Sequence, residues 1–168
     1  MFEHLTTPEE IFSYKLGSAL AMEQKLIDVL EELEQHAQRD EIKHALAQHR
    51  EETRQHVANV EQCFKLLGEE VDDSPCPVIE AMAKDGKSAI KKTDDQLVDV
   101  VILAAATESE HYEIAVYETL IANARARGAT EVAALLSRNL EQEKHALDVV
   151  RTTIETIGQQ GIAVGSRA

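Results

Sequence analysis

Each of four apolar stripes in this chain is broken by acidic residues. Glu23 interrupts the series Phe12, Leu16, Ala19, Leu26, Leu30, Leu33 and Ala37. His49, Glu52 and His56 interrupt Ile42, Leu46, Val60, Cys63 and Leu67. Glu110, Glu113 and Tyr117 fall among Leu103, Ala106, Leu120 and Ala124. Glu143 falls among Val132, Leu136, Leu140, Leu147, Val150, Ile154 and Ile157. Steps of three and four put each set on one face of a helix. An ionised carboxylate stripped of water costs several kcal/mol even after relaxation, and like charges close by raise each other's pKa. No Lys or Arg falls on the four stripes at this level. Two divalent cations would supply the missing charge. A Glu from each of two helices, with Glu-plus-His sets from the others, is how bundles hold di-iron or di-manganese.

Glu23, Glu52, His56, Glu110, Glu113 and Glu143 are therefore the expected metal ligands. Donor sets this rich in carboxylate suit hard ions, so two Fe or two Mn ions fit equally. His49, His111 and Tyr117 are candidates for the layer behind the ligands, where such groups orient them. Each also has a plainer reading: His49 as a histidine at the edge of the core, His111 as a structural residue, Tyr117 as a core tyrosine.

These residues need four long helices at a common level. The segment "TTPEE" starts the first, with Thr7 as cap, Pro8 in the first turn and Glu10 completing a capping box. "QRDE" breaks the period near Asp40, and the second helix runs on to a stop at Gly68. Residues 69–94 hold the loop "EEVDDSPCP" and a short helix, "VIEAMAKDGKSAIKK", interrupted at Gly86. The third helix runs from Thr93–Asp94 to about Arg127 and ends at Gly128. The fourth runs from about Thr130 to Ile157. Tight turns near Arg39 and Gly128 make two antiparallel hairpins, and the long middle segment crosses between them. The expected fold is all-α: a four-helix bundle over residues 1–157, with a flexible tail over 158–168, "GQQGIAVGSRA". At 1.5 Å per residue, Glu23, Glu52, Glu113 and Glu143 all lie roughly 20 Å from their turns.

Composition agrees with a helical domain. The chain has 168 residues, 43% hydrophobic and 4% aromatic, with 7 Gly and 3 Pro. That little backbone punctuation favours long helices. The formal charge of −14 argues against phosphate-backbone binding and anionic membrane surfaces. No stretch is apolar for the ~18 residues a membrane span requires. Cys63 and Cys76 lack paired-motif spacing and read as reduced thiols. "MFEHLTTPEEIF" has no basic region followed by an apolar run, so a cytoplasmic chain is expected.

The segments "TPEEIF", "AMEQKL", "HREETRQHVANVEQ", "AAATESEHYEIAVYETL" and "LEQEKHALDVV" resemble, in order, those of the YciF/YciE family of bacterial stress-associated proteins. The resemblance covers residues 6–155 and implies a ferritin-like fold, a dinuclear metal centre and a homodimer. Glu23, Glu52, Glu110, Glu113 and Glu143 fall at the acidic positions of its motif. The Glu-x-x-Glu at 110–113 is similar to the rubrerythrin form of the site. His56 stands where relatives often carry Gln, and the fourth helix lacks the Glu-x-x-His of many ferritin-like enzymes. The expected function is a metal-dependent reaction with hydrogen peroxide or dioxygen in stress defence, as a ferroxidase or a catalase- or peroxidase-like oxidoreductase. The alternative is a non-catalytic stress-induced dimer with a structural metal site or none.

Overall fold

The computed structural model describes residues 4–72 and 74–165, with side chains as far as residue 160. Helix α1 (Pro8–His36) begins on the capping box: Thr7 Oγ1 accepts the Glu10 N–H at 3.2 Å, and Glu10 accepts the Thr7 N–H at 3.1 Å. Helix α2 (Asp40–Leu67) stops at Gly68, whose φ of 72° only glycine adopts without strain. After α3 (Pro77–Lys91), a single 3-10 turn (Asp95–Leu97) leads into α4 (Val98–Ala126). The third long helix of the sequence reading thus begins a few residues later than Thr93–Asp94. Gly128, at φ 75°, reverses the chain into α5 (Thr130–Gly165).

Two features differ from the sequence reading. Gly86 does not interrupt α3, which is continuous because Ile79 and Ile90 anchor it at both ends by burial. A Cβ at Gly86 would meet Ala105 Cβ at an ordinary 3.7 Å, so α3 lies close on α4 there. Helical backbone also continues beyond Ile157 as far as Gly165, a stretch with no proline to stop it. Residues 166–168 of the expected tail, and Asp73 of the crossover loop, lie outside the described residues.

The most extensive contacts are α1 with α2 and α4 with α5, so the chain forms two antiparallel hairpins. Packing of α2 on α5 joins them, and α3 covers the seam between α1 and α4. This is the four-helix bundle with one long crossover that the stripes require. Asp99, near the start of α4, accepts the Gln38 N–H at 2.7 Å and ties the α1–α2 turn to the other hairpin. The core has two apolar clusters. One holds Phe12, Leu16, Phe64, Leu120 and Leu136, and the other Leu30, Leu33, Ile42, Ile102 and Leu103. Each such side chain contributes roughly 1.5–3 kcal/mol by leaving water. Cys63 and Cys76 are both free and buried, and burial pushes the Cys63 thiol up to about 12. Among the described residues, no helix is long and apolar enough to cross a membrane.

Candidate metal centre

Between the two apolar clusters the four long helices turn a polar layer inward. Glu23 from α1, His56 from α2 and Glu143 from α5 are each fully buried. His56 Nδ1 lies 2.8 Å from Glu143 Oε1 and 3.5 Å from Glu23 Oε2. Beside this inner group, His49 Nε2 lies 3.2 Å from Glu110 Oε1 and 3.5 Å from Glu143 Oε2. Each trio has one donor atom per residue gathered within 4.8 Å, and Glu143 belongs to both. One carboxylate oxygen of Glu143 faces each trio.

Several of these atoms lack hydrogen-bond partners. They are Glu23 Oε2, His56 Nδ1, Glu110 Oε2 and both carboxylate oxygens of Glu113 and Glu143. The close approach of His56 Nδ1 to Glu143 is not aligned as a hydrogen bond. Leaving a buried polar group unpaired costs about 1–3 kcal/mol, and more if it is charged. Concentrating such orphans in one layer fits a divalent-cation site, since hard divalent ions take oxygen and nitrogen donors together. Among the described residues, the ion pairs of Glu23, Glu52, Glu110 and Glu143 are with His49 and His56 alone, so Lys and Arg do not neutralise them.

The electrostatics of the ion-free chain follow. Burial, then the charges of Glu143, Glu110 and Glu23, push the Glu113 carboxyl well above the usual carboxylate range. Burial likewise raises Glu143. For His56, burial disfavours the cation, but Glu143 and Glu23 outweigh it and hold the ring up at about 10. His49 shows the same contest, with Glu110 and Glu52 prevailing over burial. Glu52 moves the other way, down to about 2, chiefly through its contact with His49. In the ion-free chain these shifts favour the protonated forms of Glu113, Glu143, His49 and His56.

A second ring of side chains holds the donors in place. Tyr117 is fully buried and its hydroxyl donates to Glu23 Oε1. Burial, followed by the charges of Glu23 and Glu143, keeps that hydroxyl protonated by raising its pKa well above the ordinary value. Asn139 Nδ2 donates to Tyr117 Oη at 2.9 Å, and Asn59 Nδ2 donates to Asn139 Oδ1 at 2.7 Å. His56 Nε2–H donates to Gln142 Oε1 at 3.0 Å, which leaves Nδ1 as the ring's donor atom toward Glu143 and Glu23. Gln48 Nε2 donates to Glu52 Oε1 at 3.0 Å.

The structure therefore gathers Glu23, His56, Glu110, Glu113 and Glu143 in the buried layer, together with His49, whose ring stands between Glu110 and Glu52. Glu52 sits at the rim with its side chain 21% exposed, and contacts the layer through His49 Nδ1 at 3.5 Å. Tyr117 backs Glu23. His111 is exposed and accepts from Arg151 Nη2 at 3.1 Å, so the structure does not bring it to the layer. Gln142, Asn139 and Asn59 were not picked out from sequence. An Asn one turn before Glu143, on the face that otherwise carries Leu136 and Leu147, was the available signal for Asn139.

A bundle of two antiparallel helical hairpins, linked by a long crossover and carrying buried carboxylates at mid-height, is the ferritin-like architecture. Residues 7–163 match the family model described as "Domain of unknown function (DUF892)", and the chain belongs to that family. It is 28% identical over 153 residues to Protein YciF of Escherichia coli K12, spanning 90% of this chain and 92% of that one. Superposition on the crystal structure of the E. coli stress protein YciF gives a TM-score of 0.84 at 25% identity, covering 89% of this chain and 95% of the other. YcfI of Rhodopseudomonas palustris, for which a structural role has been suggested, matches with a TM-score of 0.87 and 30% identity over 90% and 98% of the two chains. A Xanthomonas campestris pv. campestris protein matches with a TM-score of 0.76 and 25% identity over 95% and 99%.

Proposed function

We propose that this chain is a dinuclear iron or manganese protein that reacts with hydrogen peroxide or dioxygen in stress defence. The observation that carries the reading is the pair of buried donor trios sharing Glu143, with orphaned oxygens on Glu23, Glu110, Glu113 and Glu143. Glu23 and His56 would hold one cation and Glu110 and His49 the other, with Glu143 between them. Glu113 offers two further oxygens at the same level. Bound iron or manganese would supply the redox equivalents that reduce the oxidant. The chain's own part is to orient and to exclude water. Tyr117 fixes the Glu23 carboxylate, and Gln142 keeps the His56 Nε2 proton away from the donor side. Glu52 and His49 form the side of the layer nearest solvent. Similarity to a stress protein supports the physiological setting.

Purified protein reconstituted anaerobically with Fe(II) or Mn(II) tests the reading. About two ions per chain are expected by metal analysis and in an anomalous-scattering map of the layer, with consumption of hydrogen peroxide or dioxygen by the loaded protein. Folded protein that takes up no metal would falsify it. A second reading has an observation of its own. His49 and His56, as cations, offset part of the acidic charge without metal. On that reading the protein is a non-catalytic stress-induced dimer, and loaded protein would leave both oxidants untouched. We further propose that the protein is a homodimer, which light scattering would show as twice the chain mass.

A further inference from the structure

An apolar cavity of about 90 Å³ leads from the surface to one side of the layer. Leu30, Leu46, Ile102, Leu103 and Val149 form its walls. His49 and Glu110, both buried, lie at its inner end, and Glu52, Gln48, His145 and Thr153 also line it, Gln48 and His145 being exposed. Glu110 is 2% exposed, and its Oε2 has no hydrogen-bond partner. Around the inner trio, by contrast, Glu23, His56, Glu143, Asn139 and Tyr117 are all fully buried.

The lining selects what can enter. Water or hydrogen peroxide settles where two to four polar partners meet. Besides His49 and Glu110, the lining offers Glu52 and Gln48, which bond each other, the exposed His145, and Thr153, whose hydroxyl donates to Val149 O at 2.8 Å. No Lys or Arg lines the cavity to pair with an anion. A cationic head would have to compete for Glu110 with the bound metal. An aliphatic group gains roughly 25 cal/mol per Å² of surface it buries, and it leaves no wall atom unpaired. The space is smaller than the ~150 Å³ of an engineered apolar cavity that takes up benzene or xenon, so the occupant is small or a chain end.

We propose that this cavity binds a short, uncharged aliphatic molecule and holds it against the His49–Glu110 side of the centre. The inference rests on the dinuclear reading for what lies at the inner end, but not for the pocket itself. Val149→Phe and Ala146→Leu would fill the space from α5. Neither residue is assigned to hold a cation, and both are only partly buried.

The test uses the full chain, with and without reconstituted Fe(II). Crystals pressurised with xenon should show a xenon peak in the cavity, and 1-pentanol should raise the melting temperature in a saturable way. Pentanoate should bind about tenfold more weakly or not at all, and so should pentylammonium in the Fe(II)-loaded protein, where Glu110 is engaged by the metal, because the walls cannot solvate their charge. Both signals should vanish in Val149→Phe, or in Ala146→Leu if the Phe variant misfolds, while metal content stays at the wild-type level. An absent xenon peak together with no effect of 1-pentanol overturns the proposal, as does equal binding of pentanoate, or of pentylammonium to the loaded protein. The two readings fail separately. Metal uptake without probe binding sinks the aliphatic pocket alone, and probe binding without metal uptake sinks the dinuclear centre alone.

Discussion

The two donor trios share Glu143 yet are built differently. The inner one is sealed. Tyr117 fixes Glu23, Gln142 fixes His56, and Asn139 with Asn59 fixes Tyr117. The outer one is open on one side. His49 bridges Glu110 to Glu52 on the rim, and an apolar cavity reaches both. A donor whose spare valences are all hydrogen-bonded is held in one orientation, while one at a rim can move at little cost. On the dinuclear reading, this asymmetry would make the inner half an anchor and the outer half a working face.

Removing the shared residue tests this most severely. Glu143→Ala should drop the metal content from about two ions per chain to about none, because it strips a ligand from both trios. Metal analysis reads this directly, and retention of both ions would discard the shared-ligand arrangement. Glu23→Ala and Glu110→Ala should each leave about one ion, the first losing the inner and the second the outer, as an anomalous map would distinguish. Gln142→Ala should weaken the inner position about 10–100-fold and leave the outer one unchanged, in line with losses at other outer-shell partners. Equal weakening of both positions would show that the halves are not independent.

The pH response of the ion-free protein should be smaller but diagnostic. His56 is held at about 10 against an ordinary 6.5. A group raised on folding contributes stability below its unfolded value and loses it as pH climbs through the folded value. Glu143, also raised, acts in the same direction. Denaturant midpoints of the ion-free chain should therefore fall from about pH 4.5 to about 7 through Glu143 and on to about 10 through His56. Loaded protein should not share this decline below neutrality, where its ligands must shed protons to bind and metal affinity rises with pH. Parallel curves for the two forms would mean that cations do not occupy these groups. The smallest change, Thr7→Ala, should cost about 1 kcal/mol at the α1 N-terminus and leave metal content as it was.

Much of this arrangement was legible in the sequence, and the misses have a common cause. Every residue of the α1 and α4 stripes is buried, including Glu23, Glu110, Glu113 and Tyr117 in otherwise apolar company, although Leu20, Met22, Ile102 and Ile121 off the stripes are buried too. On α2 the stripe ran through Glu52, but the neighbouring Thr53 is the buried residue and Glu52 is at the rim. On α5 it ran through Leu140, while Asn139 is buried instead. Steps of three and four differ by about 100° of helix rotation, and when both candidates are plausible the period does not choose between them. Partner geometry decides: Thr53 Oγ1 donates to His49 O at 2.9 Å, and Asn139 serves Tyr117. Gln142 was invisible because its role depends on a ring across the bundle, on α2. His111 lies next to Glu110 in sequence, but adjacency along a helix turns a side chain away from its neighbour.

The polar layer also divides the apolar interior into two separate clusters. Each of the four long helices crosses that division, so the molecule resembles two short bundles fused end to end across a seam. Without ions the seam has mostly unpaired groups to join it, and local opening starts where cohesion is lowest. The supply of iron or manganese would then set how often the midsection breathes, and with it how long each copy survives proteolysis. If the layer does hold metal, scarcity of that metal would be read out as turnover of the polypeptide.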